Sequence, residues 1–245
     1  MNACTADMRT WKNARWTSVG AALLLAVLLA MNFTKTPAQS AEPARLAAAR
    51  KRCGAELRAA FEKAGVHWPA HEIFLRAVKR ERQLELWARN GAGEQFQLVK
   101  TLPITAASGG PGPKRREGDM QVPEGFYKVD RFNPASNFHL SLGINYPNAS
   151  DRMHGDPVSP GSDIFIHGNR VSIGCIAVGD EAIEEVYLSA LDSRVRPVRV
   201  HIFPAKMDAA DWPEWRAAQI AAHPEFGALW DELASAWTKF GRERR

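Results

Sequence analysis

Apolar residues recur over residues 42–64 at the spacing of one helical face, with Leu46, Cys53, Leu57 and Phe61 in a stripe that Gly65 ends. From Ile73 the period drops to two: Ile73, Leu75 and Ala77, then Leu84, Leu86 and Ala88, then Phe96 and Leu98. The alternation predicts three strands, and Asn90-Gly91 between the second and third is a hairpin signal. A polar Gly/Pro-rich stretch, SGGPGPKRREGD over 108–119, is too broken for regular structure. Further strands are predicted over 125–130, 138–145 and 164–167, with Pro147 closing the second, and a last one over 197–203. His139 alternates with Phe138, Leu140, Leu142 and Ile144, which sets it on the opposite side of its strand.

A helix is predicted from Asp180, with acidic residues in its first turn where the helix dipole favours them. Asp211 to Glu214 has capping-box spacing with Pro213 in the first turn. After Pro224, a helix carries Phe226, Leu229, Trp230, Leu233, Trp237 and Phe240 on one face, a stripe that predicts docking onto a core. The order of elements is that of a mainly β domain with helices at both ends, not a βαβ alternation. The expected division is a leader over 1–40, a helical segment over 42–71, a β-rich domain over 72–203 and a helical extension over 204–245.

The net charge of +5 changes this picture little, because the first forty residues hold a surplus of three and leave +2 for the rest. A nucleic-acid partner therefore has no support beyond short clusters such as Lys114-Arg115-Arg116. Those forty residues have an export layout. Arg9, Lys12 and Arg15 precede an apolar run from Val19 to Met31, and small residues follow at 38–41. The run is short for a bilayer span, which takes about twenty residues. Cleavage near Ala41 and retention as an anchor both remain open. Either way the expectation is a protein of the periplasm or cell envelope that meets the membrane through this segment alone.

Of the cysteines beyond the leader, Cys53 lies on the helical stripe and reads as a small buried hydrophobe. Cys175 has a different context. In DIFIHGNRVSIGCIAVGDEAIEEVY (163–187), an apolar strand delivers His167-Gly168, a polar turn follows, and Ser172-Ile173-Gly174 leads to Cys175. An imidazole can take the proton of a thiol and hold it as an ion pair. Gly174 lets backbone N–H groups approach a developing oxyanion, and the carbonyl of Gly168 is one candidate to orient the ring. His154, followed by Gly155, is a rival base 21 residues before Cys175. His154, His139 and Ser172 are weaker candidates for contact with a substrate. No histidine shows metal-ligand spacing and no phosphate or dinucleotide fingerprint is present, so neither metal nor cofactor is expected.

These motifs resemble the L,D-transpeptidase (YkuD-like) catalytic domain, whose signature is an apolar strand ending in His-Gly followed by Ser/Thr-His-Gly-Cys. Val122-Pro123-Glu124-Gly125-Phe126-Tyr127 is similar to that family's Thr-Pro-x-Gly-x-Phe/Tyr segment. Together with Gly118-Asp119 and SLGINYPN (141–148), the pattern is close to the YafK-like murein subgroup, over about residues 72–203. The resemblance implies a β-sandwich or barrel catalytic domain and acyl transfer on peptidoglycan stem peptides, with Cys175 as nucleophile and His167 as base. Three departures stand out. Ile173 replaces the motif's second histidine, Ala177 replaces an arginine two residues after the cysteine, and the His167-to-Cys175 turn is short.

The acceptor is left open. An amine of another stem or of a wall-linked protein gives a transpeptidase, whereas water gives an L,D-carboxypeptidase or an amidase that releases wall-linked protein. The loss of a charged donor contact at Ala177 raises the share of hydrolysis. A papain-type peptidase has its cysteine before its histidine, the reverse of this order. A non-catalytic wall-binding module keeps the fold without needing the thiol.

Overall fold

The computed structural model describes residues 43–243, so the expected leader lies outside the described residues. Helix α1 (Ala44–Lys63) is followed by strands β1 (Glu72–Val78), β2 (Gln83–Arg89), β3 (Gln97–Pro103), β4 (Gly125–Asn133) and β5 (Ser141–Ile144). Next come α2 (Ala149–His154), β6 (Ile164–His167), β7 (Ile176–Ala177), α3 (Asp180–Asp192) and β8 (Arg199–Phe203). Helices α4 (Trp212–Ala222) and α5 (Gly227–Glu243) close the chain, joined by a 3₁₀ turn at Pro224–Phe226.

The strands form one curled mixed sheet in the order β3-β2-β1-β8-β4-β5-β6-β7. β1 with β8 and β6 with β7 run parallel, and the other neighbours run antiparallel. Every position of β1 is buried, because helices cover both of its faces. Ile73, Leu75 and Ala77 pack in the main core with Leu57 and Phe61 of α1 and Ile183 and Val186 of α3. On the other face Phe74 meets Phe96 and Phe240, and Val78 joins Phe203, Trp230 and Trp237. Arg76 also points to that face, its guanidinium 3.9 Å over the Trp237 ring and its Nε 2.6 Å from Glu85. The apolar stripe of the last helix is thus docked core, and Cys53 packs half-buried against the main cluster.

Local readings differ from the structure where side chains found other partners. Asp211 precedes α4 but makes no side-chain cap, because its carboxylate pairs with Arg80. Asn90 sits at the β2–β3 turn and also holds the end of α1, accepting from the His67 N–H and donating to the Gly65 carbonyl. In β3 the buried residue is Leu102, while Leu98 is exposed and Phe96 packs from the loop before the strand. The strand expected over 138–145 begins only at Ser141, because His139 takes a left-handed conformation (φ 71°) that ends the alternation. Helix α2 has six residues, too few for periodicity to show, though Asn148 and Asp151 form its capping box.

The C-terminal helices are tied to the β-rich domain by one buried carboxylate. Glu124, only 1% exposed, accepts from Trp230 Nε1 of α5 at 2.7 Å, from the Gly112 N–H at 2.9 Å and from Lys79 Nζ at 2.8 Å. Glu124→Ala is expected to destabilise the fold by about 3 kcal/mol, since it strips a buried ammonium of its counter-charge. In a domain of this size that lowers the melting midpoint by roughly 6–12 °C, measured by calorimetry. Glu124→Gln keeps one acceptor oxygen, enough for the Gly112 N–H and Lys79 but not also for Trp230, and is expected to cost less.

Candidate active site

His167 is the last residue of β6, and the parallel ladder sets it opposite Ala177 of β7. Cys175 comes immediately before β7, so this short ladder holds thiol and imidazole at one end of the sheet. The ring of His167 is 2% exposed and lies 4.7 Å from the Phe138 ring, centroid to centroid. Its Nδ1 is 2.6 Å from the Gly168 carbonyl. A carbonyl only accepts, so Nδ1 carries the proton and a neutral ring leaves Nε2 as a lone-pair base. Gly168 has no room for a side chain, because an added Cβ would sit 2.7 Å from the Phe138 carbonyl and 2.6 Å from Asp180 Oδ1.

The turn that presents the thiol is braced by Ser172. Its Oγ donates to the Cys175 carbonyl at 2.6 Å and accepts from the Gly174 N–H at 3.3 Å. Gly174 holds φ 121°, a conformation that side chains rarely adopt. Asp180, at the start of α3, anchors the other end of the turn by accepting from the Asn169 N–H at 2.7 Å.

Cys175 and His167 line two cavities. The larger cleft, about 770 Å³, is walled mainly by apolar groups, among them Met120, Phe138, Val171 and Ile173. Ile173, standing where the family motif has histidine, is 80% exposed at its mouth. The smaller cavity, about 190 Å³, has Asn133, Ser136, Asn137 and Ser141 in its wall beside Phe138 and Phe165, and apolar groups make up most of its surface.

Burial pushes the His167 imidazole below its usual range against the hydrogen bond to Gly168. Burial also pushes the Cys175 thiol up, against a backbone hydrogen bond from Phe165 and the positive charge of Lys114. Both shifts disfavour the resting ion pair expected from the sequence, because each charged form loses hydration. They favour a thiol beside a neutral imidazole at rest. Alkylation of Cys175 by iodoacetamide, followed by peptide mapping, is expected to reach half-maximal rate above the ordinary thiol range of about 8.5. A half-maximal rate well below that value would indicate a resting thiolate. Mapping separates this signal from Cys53, whose thiol burial pushes up to about 11 with help from the charges of Glu184 and Glu185.

The structure brings His167, Gly168, Ser172, Gly174 and Cys175 together, and it places the other candidates elsewhere. His154 is exposed at the end of α2, its Nδ1 2.9 Å from the Ser150 carbonyl, and lines neither cavity. His139 turns away to Glu184, 2.5 Å from Nε2, and lines neither cavity. Ala177 is fully buried in β7, its N–H and carbonyl bonded to Ala106 and Thr105. Two contributors escaped the sequence reading. Phe138, expected on a strand, packs on the imidazole, and Lys114, read as part of a solvated cluster, is buried in the cleft wall. Among the described residues no group of three or more His, Cys, Asp or Glu side chains is arranged to hold a metal ion.

The family model of the YkuD L,D-transpeptidase catalytic domain matches residues 74–201. The Escherichia coli K12 protein named "Putative L,D-transpeptidase YafK" is 35% identical over 178 residues, 71% of this chain and 68% of that protein. Among solved structures, the helical cell shape determining protein Pgp2 of Campylobacter jejuni is 20% identical over 70% of each chain, with a TM-score of 0.45. Bd1075 of Bdellovibrio bacteriovorus is 23% identical over 56% of this chain and 48% of its own, with a TM-score of 0.41. The chain belongs to the L,D-transpeptidase catalytic domain family.

Proposed function

We propose that this chain catalyses acyl transfer on peptidoglycan stem peptides through a thioester on Cys175, with His167 as general base. The observation that carries the reading is the fixed tautomer of His167, its Nδ1 tied to the Gly168 carbonyl on a strand end that shares both cavities with the thiol. His167 Nε2 takes the thiol proton as sulfur adds to the carbonyl of the diamino-acid residue in a tetrapeptide stem. The tetrahedral adduct is stabilised by N–H groups of the 174–175 turn. The Gly174 N–H already engages Ser172, so the Cys175 N–H is the better placed of the two. Collapse returns the proton from the imidazolium to the departing D-Ala amine and leaves the thioester. An acceptor then attacks, giving its proton to His167, and expulsion of the thiolate, which takes that proton back, regenerates the thiol.

A second reading, in which water is the acceptor, has a specific observation behind it. The small cavity on one side of the thiol, with Asn133, Ser136, Asn137 and Ser141 in its wall, holds about 190 Å³, room for roughly six waters at their liquid volume. A thioester exposed to ordered water hydrolyses, whereas transfer to an amine needs that amine held close. Incubating the enzyme with defined muropeptides and reading the products by mass spectrometry separates the cases. Crosslinked dimers mark transfer, tripeptide stems mark hydrolysis, and unchanged muropeptides under all conditions would remove the proposal.

The substrate lies outside the cytoplasm, so the reading requires export by the basic and apolar N-terminal segment. A reporter fused after residue 60 is expected to be active on the far side of the inner membrane. Activity confined to the cytoplasm would contradict this. No described helix is long and apolar enough to cross a membrane.

A further inference from the structure

The loop before β4 places a buried ammonium in the wall of the thiol's cleft. Lys114 is 5% exposed and lines the same 770 Å³ cleft as Cys175. A lysine ammonium has three protons to donate. Two go to the Arg116 carbonyl at 2.8 Å and to Asp119 Oδ1 at 2.7 Å, and among the described residues no third acceptor is in reach. Asp119 is itself saturated. Its Oδ1 also accepts from the Gln121 N–H at 3.0 Å, and its Oδ2 accepts from the N–H groups of Arg115 and Arg116 at 2.7 and 3.0 Å. These donors hold its carboxyl below the usual range although burial opposes them. The carboxylate is thus shared among four donors, while the ammonium keeps one free direction.

The other charged groups of the cleft are engaged elsewhere. Asp163 pairs with Arg131, with N···O distances of 2.9 and 3.0 Å, and Glu117 accepts from Ser159 Oγ at 2.8 Å. Arg170 lines a separate depression beside the start of α3. Position 177, where the family motif carries arginine, holds a fully buried alanine. Among the described residues Lys114 is therefore the one Lys or Arg lining this mainly apolar cleft, where low dielectric strengthens a charged hydrogen bond.

We propose that Lys114 is a specificity-determining residue that binds, through its third N–H, the terminal carboxylate of the residue expelled from the donor stem. The proposal rests on the acyl-transfer reading and adds the group that the site recognises. The carboxylate lies three bonds beyond the attacked carbonyl carbon, so one cleft can hold both ends. The same positive charge favours the thiolate form of Cys175 as it develops.

The test compares a tetrapeptide stem ending in free D-Ala with its C-terminal carboxamide, in wild type and in Lys114→Gln and Lys114→Arg. Wild type is expected to prefer the carboxylate by about 10–100-fold in kcat/KM, the range of one charge-assisted hydrogen bond. Lys114→Gln should act on both substrates at nearly equal rates, and Lys114→Arg should restore part of the preference. A purely structural lysine would lower both rates together and leave their ratio unchanged, which overturns the proposal. Equal rates in wild type overturn it as well, without any variant having to fold. If wild type acylates neither substrate, the acyl-transfer reading itself fails and takes this one with it.

Discussion

Cys175→Ala is expected to reduce muropeptide turnover to background while the melting curve stays within a few degrees of wild type. The thiol is small and half-buried, and no hydrogen bond of the Ser172–Cys175 turn uses its sulfur, so the turn keeps its geometry. Ser172, the nearest hydroxyl along the chain, is engaged already: it donates to the Cys175 carbonyl and holds the turn. Cys53→Ala is expected to leave turnover unchanged, because that thiol packs against the main core and donates to the Ala49 carbonyl within α1. Steady-state assays paired with calorimetry check both expectations. Full turnover in a folded Cys175→Ala protein would rule out covalent catalysis at this position.

His167→Ala should slow acylation by about 10²- to 10⁴-fold, the usual effect of losing a general base. The resting thiol makes the loss severe. Burial holds Cys175 above its usual pKa, so removing the base leaves little thiolate to react near neutral pH. Raising the pH should therefore recover part of the variant's rate as the thiol ionises without help. Wild type should instead lose rate on the acid side only below the ordinary histidine range, because burial depresses the pKa of His167. His154→Ala should change acylation less than two-fold, an estimate that follows from its exposed place outside both cavities. Single-turnover kinetics across pH measure all three proteins. An unimpaired His167→Ala protein, or a crippled His154→Ala protein, would reassign the base.

Legibility from the amino-acid sequence tracked how local each determinant is. The strand Ile164–His167 and the helix from Asp180 were readable, because apolar runs and acidic first turns are local signals. The pairing of His167 with the Gly168 carbonyl was also in view, since both groups belong to adjacent residues. His139 was misplaced because nothing in its neighbours announces a left-handed residue that breaks a strand of good alternation. Asp211 was read as a cap because Arg80, the partner that takes it, lies 131 residues away. Lys114 looked like one of three solvated cations in the chain. Only the fold reveals that Asp119 and the Arg116 carbonyl draw it inward while Arg116 stays exposed and Arg115 half-buried. The fit of Phe138 against the imidazole has the same origin, a tertiary contact with no sequence periodicity behind it.

The most direct measurement is the intact mass of the enzyme trapped after brief mixing with a tetrapeptide stem substrate. If Cys175 carries the acyl group, the protein gains the mass of the stem less the expelled D-Ala. The adduct maps to the peptide containing Cys175, is released by hydroxylamine as a thioester should be, and is absent from Cys175→Ala. Turnover without any adduct, or an adduct on a different residue, would contradict covalent catalysis by Cys175.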